Sequence, residues 1–143
     1  DEAAGVQRTR AFYDTMEEYK VHVDPQMVME ASFVMDGGYE AMKQLIDKNP
    51  GLDGVFCATD SLAVGAMMYL KEIGKRVPED VAITGIGHNR MSRVVTPTLA
   101  TAHLHYRTSG VEAAKMLVDM IENENAVSKQ LMLGYEVIEA ESV

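Results

Sequence analysis

An α/β fold on a parallel sheet with helices on both faces is what this sequence predicts, and three observations carry that expectation. Apolar runs short enough for buried strands, residues 52–58 and 81–87, alternate with longer stretches whose apolar residues recur at helical spacing. Turn residues separate them at short intervals, which suits crossover connections in one sheet. At 143 residues with 47% hydrophobic content, the chain is long enough for one core and short for two.

Taken in order, residues 3–20 carry Phe12, Met16 and Tyr19 at i, i+4 and i+7 with charges between them, the pattern of a half-buried helix. Residues 1–5 read as a loop feeding it, and Asp24-Pro25 ends it. Residues 27–33 form a short apolar segment. A second helix follows through Tyr39, Met42, Leu45 and Ile46, with Asp36 as the expected N-cap. After the turn Asn49-Pro50-Gly51 comes the strand over 52–58, then a third helix from Asp60 whose stripe is Leu62, Ala66, Met67, Leu70 and Ile73, stopped by Gly74. The turn at 77–80 leads into the strand over 81–87. Residues 91–98 are irregular and 99–105 extended. Ser109 opens a fourth helix through Val111, Ala114, Leu117, Val118 and Ile121, with Glu112 completing a capping box. A polar stretch over 122–129 precedes a last extended segment, 130–138. No repeat or low-complexity tract interrupts the pattern.

The formal net charge of −9 repels a phosphate backbone, so any contact with DNA has to come from outside this segment. The lone cysteine, Cys57, lies in the apolar run Val55-Phe56-Cys57-Ala58; it excludes an internal disulfide and suits a reducing cytoplasm. No apolar stretch reaches the ~18 residues of a membrane span, and the acidic start is unlike a secretory signal, so a soluble chain is expected. The eleven methionines fall mostly on apolar helical stripes and read as core.

Ligands of open parallel sheets gather at the carboxyl ends of the strands. Candidate site residues are therefore Phe33, Thr59 with Asp60, and the stretch from Gly87 through His88 to Asn89. Asp60 reads first as a helix cap and second as one of a ligand-facing pair with Thr59, and the two roles can coexist. Gly85-x-Gly87 begins like a dinucleotide fingerprint, but Arg90 stands where a third glycine is needed and no helical pattern follows. His103 and His105 share one face of an extended segment, with His88 near, yet nothing in sequence places a carboxylate or thiolate beside them, and no metal is expected. There is no Gly-x-Ser-x-Gly elbow and no phosphate cradle, so neither catalysis nor a cofactor is predicted. Met91, Val94 and Val95 are apolar residues in an irregular segment, which points to a subunit contact.

The run Asp60-Ser61-Leu62-Ala63-Val64-Gly65-Ala66 after an apolar strand, then Gly74, Arg76-Val77-Pro78-Glu79-Asp80-Val81 and Thr96-Pro97-Thr98-Leu99, resembles the LacI/GalR (lactose-repressor) regulators in order and spacing. The similarity extends to Arg8 with Phe12, to Gly38-Tyr39, and to the closing Ile138-Glu139-Ala140-Glu141-Ser142-Val143. The resemblance implies a two-subdomain, periplasmic-binding-protein-like fold with a small-molecule effector, a saccharide by family tendency, in the cleft. Residues 1–102 would belong to the C-terminal subdomain, 103–126 would cross to a helix of the N-terminal one, and 127–143 would return. It further implies a cytoplasmic homodimer that reaches DNA through a helix-turn-helix headpiece outside this chain. Within the cleft, Arg8 matches the family's effector-clamping arginine, Phe33 its aromatic wall, and Thr59 with Asp60 its strand-end pair. The chain departs from the family around Gly87, where many relatives place an aspartate; His88 or Asn89 is left to supply the polar contact.

Two other readings compete. A sugar-binding protein serving a transporter shares the fold, although the turn at 76–80, Thr96-Pro97 and the chain ending follow the regulators. A flavodoxin-like enzyme or receiver would need a phosphate loop or a carboxylate cluster after a first strand, and the sequence offers neither.

Overall fold

The structure, a computed structural model, describes residues 2–143. Four helices, α1 (Glu2–Glu18), α2 (Met35–Lys48), α3 (Asp60–Glu72) and α4 (Tyr106–Glu122), accompany four strands, β1 (Gly54–Phe56), β2 (Ala82–Gly87), β3 (Ala100–Leu104) and β4 (Tyr135–Ile138). The strands form one sheet in the order β1-β2-β3-β4. β1, β2 and β3 run parallel, and β4 returns antiparallel to β3, with His103 opposite Glu136. The mostly parallel sheet flanked by helices agrees with the fold class read from the sequence.

The core lies between the sheet and the α2–α3 pair. Met42, Leu70, Val81, Ile83 and Leu99 are essentially inaccessible, and Cys57, Leu62, Ala63, Ala66, Met67 and Tyr69 join them. α2 and α3 approach closely because Gly38 lies against the backbone of Leu62, and Gly65 against that of Met35 and Tyr39. Tyr39 and Tyr69 meet edge to face at the same seam, with ring centroids 5.3 Å apart. α3 is buried on nearly all sides, Met68 being its most exposed apolar residue. It ends as its sequence dictates: Gly74 takes φ +75° and the Lys75 amide donates to the Leu70 carbonyl.

Several local expectations are corrected. Residues 2–5 are helical where a loop was expected, and Asp1 lies outside the described residues. Val34, in extended conformation and without a side-chain bond, precedes α2, so Asp36 sits within the first turn, where its charge still opposes the helix dipole favourably. Asp60 is not the cap of α3: the Thr59 hydroxyl accepts from the Leu62 amide at 3.2 Å, and Asp60 is the first helical residue. α4 starts at Tyr106, ahead of Ser109, and Glu112 pairs instead with Lys115 at 2.7 Å. Residues 25–27 form a 3-10 turn capped by Asp24, and residues 28–34 join no sheet, because β1 is the edge strand on that side.

The end of the chain is fastened to the middle of the sheet. The Ser142 hydroxyl donates to the Ile83 carbonyl at 2.6 Å and accepts from the Ala100 amide at 2.8 Å, wholly buried. Beside it, the Thr98 amide and hydroxyl donate to Glu141 at 2.9 and 3.0 Å and hold that carboxyl below its ordinary value. Ser142→Ala orphans a buried carbonyl and a buried amide together. It is expected to cost about 2–4 kcal/mol in urea unfolding, at roughly 1–3 kcal/mol per unsatisfied group; a loss below about 0.5 kcal/mol would mean that the ends of β2 and β3 do not depend on this clasp.

α1 and α4 differ from the central pair. None of residues 3–18 is buried, and neither is any residue of α4. Leu117, Val118, Met120 and Ile121 stand half to three-quarters exposed on α4, and Leu131, Met132, Tyr135 and Val137 continue that apolar surface through the returning segment.

Candidate functional site

The parallel strands all point their carboxyl ends to one edge, and the residues singled out from sequence lie along it. After β1 come Thr59 and Asp60; after β2, His88 and Asn89; at the end of β3, His103 and His105. Asp60 organises this edge from beneath. Its carboxylate is fully buried, with one oxygen accepting from the Thr101 hydroxyl at 2.6 Å and the other from the Asn89 amide at 2.8 Å. Thr101 in turn accepts from the His88 amide at 3.3 Å. The absence of a side chain at Gly85 lets Asp60 reach this position, since a Cβ there would press against its oxygen. Asp60 is therefore a positioning residue, and Thr59, occupied in capping α3, is another.

The loop leaving β2 is held in an unusual shape. Gly87 adopts φ +137°, and His88, a side-chain-bearing residue, adopts φ +50°. Non-glycine residues take such angles only where the surroundings over-determine them. Asn89 then folds the chain onward, its side-chain oxygen accepting from the Met91 and Ser92 amides at 2.8 and 3.3 Å. Of the residues assigned to a subunit contact, Met91 opens a 3-10 turn (Met91–Arg93), Val94 is 69% exposed, and Val95 packs against the core.

Arg8 and Phe33 form a second group. The Arg8 guanidinium donates to the Ala58 carbonyl at 2.5 Å, tying α1 to the end of β1. Gly5 of α1 lies next to the Phe33 ring, so both residues meet where α1 crosses the sheet edge. They line a cavity of about 990 Å³ bounded by α1, residues 23–33 and β1, which Thr59, Asp60, His88 and Asn89 do not line. Its walls below Arg8 are largely apolar, among them Phe12 and Phe56, stacked at 5.8 Å. This space runs down the open edge of β1. Only its upper end, at Arg8, Phe33 and Ala58, reaches the carboxyl edge of the sheet.

The three histidines touch. His103 meets His88 at 5.3 Å and His105 at 5.0 Å between ring centroids, both nearly perpendicular. His105 also faces Glu136 at 3.7 Å, a carboxylate that only the antiparallel return of β4 brings near. Among the described residues no three His, Cys, Asp or Glu side chains are arranged to hold a metal ion. Burial pushes the Cys57 thiol up to about 12, far from the thiolate a nucleophile requires. Nothing in the sequence marks Thr101 or Ser142 as an anchor, since a threonine or a serine looks alike whether or not it ties buried groups together.

All of residues 1–143 match the family described as periplasmic binding protein-like domain. The chain belongs to that family. The relatives it resembles are transcription regulators. It is 33% identical over 139 residues to the HTH-type transcriptional repressor PurR of Salmonella paratyphi B, covering 97% of this chain and 41% of that protein. Among solved structures it is similar to the transcriptional regulator CelR in complex with cellobiose (30% identity, TM-score 0.93, 97% of this chain and 42% of the other). It is likewise similar to a LacI family regulator from Enterococcus faecium with bound ribose (28% identity, TM-score 0.86, 94% and 50%). The chain thus spans about two fifths of the length of the PurR relatives.

Proposed function

We propose that this periplasmic binding protein-like chain forms part of the effector sensor of a LacI-type transcription regulator, binding a small molecule of saccharide type at the carboxyl edge of its sheet and performing no catalysis. The observation that carries the reading is the bond from Arg8 to the Ala58 carbonyl at the end of β1, with Phe33 lining the same cavity, on a fold whose relatives are regulators solved with cellobiose or ribose. A planar guanidinium fixed by the Ala58 carbonyl offers its remaining N–H groups to vicinal hydroxyls, and an aromatic face suits the apolar side of a sugar ring.

Exposed apolar surface supports a division into two subdomains. Residues 1–102 supply the C-terminal subdomain, 103–126 carry α4 into an N-terminal subdomain, and 127–143 return as β4. In support, α4 buries nothing within this chain while showing several large apolar side chains, and its relatives extend well beyond the matched part. Closure of two subdomains around effector would reorient a homodimer, with Met91, Val94 and Val95 at the subunit contact, and so alter DNA binding through a headpiece; a coupling of about 1–3 kcal/mol suffices. The cytoplasm is the compartment such a regulator needs. Among the described residues no helix is long and apolar enough to cross a membrane.

A thermal-shift screen of the full-length protein against mono- and disaccharides, sugar phosphates and purines tests the reading, because selective binding to the native state raises the melting temperature. Arg8→Ala is expected to weaken the responding ligand by about ten- to a hundredfold in calorimetry, each ~1.4 kcal/mol being one decade. Unchanged affinity would remove Arg8 from the site, and no response to any compound would overturn the sensing function.

A further inference from the structure

We infer that residues 87–93 form a conformational relay that couples effector binding at Arg8 to the subunit contact at Met91 and Val94; the inference rests on the sensing function and the dimer proposed above. The first link is at the end of β1. The Arg8 guanidinium donates to the Ala58 carbonyl, Thr59 follows as the cap of α3, and Asp60 comes next in the chain. From Asp60 the path crosses to β2 and β3. One carboxylate oxygen accepts from the Asn89 amide and the other from the Thr101 hydroxyl, which itself accepts from the His88 amide. Asn89 carries the path onward: its side-chain oxygen accepts from the Met91 and Ser92 amides, and its carbonyl accepts from the Ser92 hydroxyl. Ser92 is buried, and its own carbonyl receives the Leu99 amide, so the 3-10 turn Met91–Arg93 is also fastened to the chain entering β3. Val94 leaves that turn exposed, while Val95 packs against the core.

Coupling between separate sites needs an element with two arrangements that both sites bias, and the backbone at His88 is that element. A side-chain-bearing residue keeps a φ of +50° only while its neighbours hold it there. Two bonds hold it, one from its own amide to Thr101 and one from the next amide, Asn89, to Asp60. Both end on the same carboxylate, because Thr101 is itself oriented by Asp60. A displacement of Asp60 therefore weakens the two together and lets His88 relax toward negative φ. Asp60 is wholly buried in the first turn of α3, so it moves with the end of β1 and not by itself. Arg8 grips that end at Ala58. An effector that takes up the remaining N–H groups of Arg8 pulls on the same guanidinium and shifts residues 58–60. At the far end the turn Met91–Arg93, hung on Asn89, tilts the Met91 and Val94 side chains against the partner. Linkage makes the dependence reciprocal: association alters effector affinity by the factor by which effector alters association.

The experiment is a double-substitution cycle on the full-length protein, read as the dimer dissociation constant by sedimentation equilibrium and so needing no knowledge of the effector. Substitutions at distant sites without a shared partner act independently unless something couples them. Arg8→Ala is expected to change the dimer dissociation constant about fivefold or more, although Arg8 lies on α1 and not in the turn that carries the contact. Asn89→Ala removes the acceptor of the Met91 and Ser92 amides, and in its background Arg8→Ala is expected to change the constant by less than about twofold. Asn89→Asp keeps the accepting oxygen and restores the response. Melting temperature and near-ultraviolet dichroism establish that each variant is folded; if Asn89→Ala is not, Ser92→Ala, which loosens the same turn through the Asn89 carbonyl, takes its place in the cycle. An unchanged dimer constant in Arg8→Ala, an Arg8 response equally large with and without the Asn89 side chain, or one that Asn89→Asp fails to restore overturns the relay. A protein that stays monomeric overturns it together with the subunit contact. The sensing function stands or falls separately, on the thermal-shift screen, which does not depend on association.

Discussion

Asp60→Ala is expected to lower the unfolding free energy by about 3 kcal/mol or more and to loosen the loop that follows β2. The carboxylate is wholly inaccessible and receives the Thr101 hydroxyl and the Asn89 amide, both charge-assisted bonds. Bonds to charged groups contribute roughly 1.5–3 kcal/mol each, and removal leaves the buried Thr101 hydroxyl and the part-buried Asn89 amide unmatched. Asp60→Asn is the sharper variant. An amide nitrogen facing the Asn89 N–H opposes donor to donor; turned the other way, it faces Thr101, whose proton then has no acceptor. The substitution conserves shape and should still cost about 2 kcal/mol, by the same desolvation argument. Urea unfolding followed by circular dichroism measures both. A loss under about 1 kcal/mol for the alanine variant would show that the strand ends hold their places without this carboxylate.

Gly65→Ala is expected to destabilise by about 3 kcal/mol or more, at or above the upper part of the range for overpacked cores. A Cβ at Gly65 would collide with the Met35 carbonyl and the Tyr39 amide, which are backbone atoms of α2 and have no side-chain freedom with which to yield. Gly38→Ala meets the Leu62 backbone from the opposite helix, so the two substitutions attack one seam from both sides. Gly110→Ala provides the contrast. It lies within α4 with nothing inside 4 Å of the added methyl, and it should stabilise by about 0.5–1 kcal/mol through helix propensity alone. Melting curves with Gly65→Ala and Gly110→Ala shifted in the same direction would refute the close-approach explanation.

These two cases show what could be read from sequence and what could not. The 3.6-residue rhythm of Met42, Leu45 and Ile46, and the run Val81 to Gly87 between turn residues, announced α2 and β2 because burial alone fixes such patterns. Gly38 and Gly65 lie in the stretches that resemble the LacI/GalR regulators, yet the reason for their lack of a side chain lies in the opposite helix. Helix starts went astray where more than one polar residue could act: Thr59 caps α3 although Asp60 is the stronger acid, because Asp60 is drawn inward by Thr101, forty-one residues away. The short apolar segment at 27–33 pairs with no strand, and pairing is a property of neighbours. Within the candidate site, Phe33, His88 and Asn89 follow from the rule that parallel sheets bind at their carboxyl edge, whereas Arg8 came from the resemblance to the LacI/GalR regulators. The proximity of His103 to His88 depended on the register of β2 against β3, in which Gly87 faces His103.

The near-complete burial of α3 has a consequence for how this segment tolerates change. A surface helix accepts replacements in a rhythm, one side permissive and the other not. From Leu62 to Leu70 every residue is enclosed except Met68, which is 52% exposed. A saturation scan for retained solubility should therefore show an almost unbroken intolerant block there, with one permissive notch at Met68, while α4, measured in the same scan, accepts polar residues wherever its exposed side is not covered by the rest of the protein. The helix is thus constrained by its surroundings on every side, with no ligand needed to explain it.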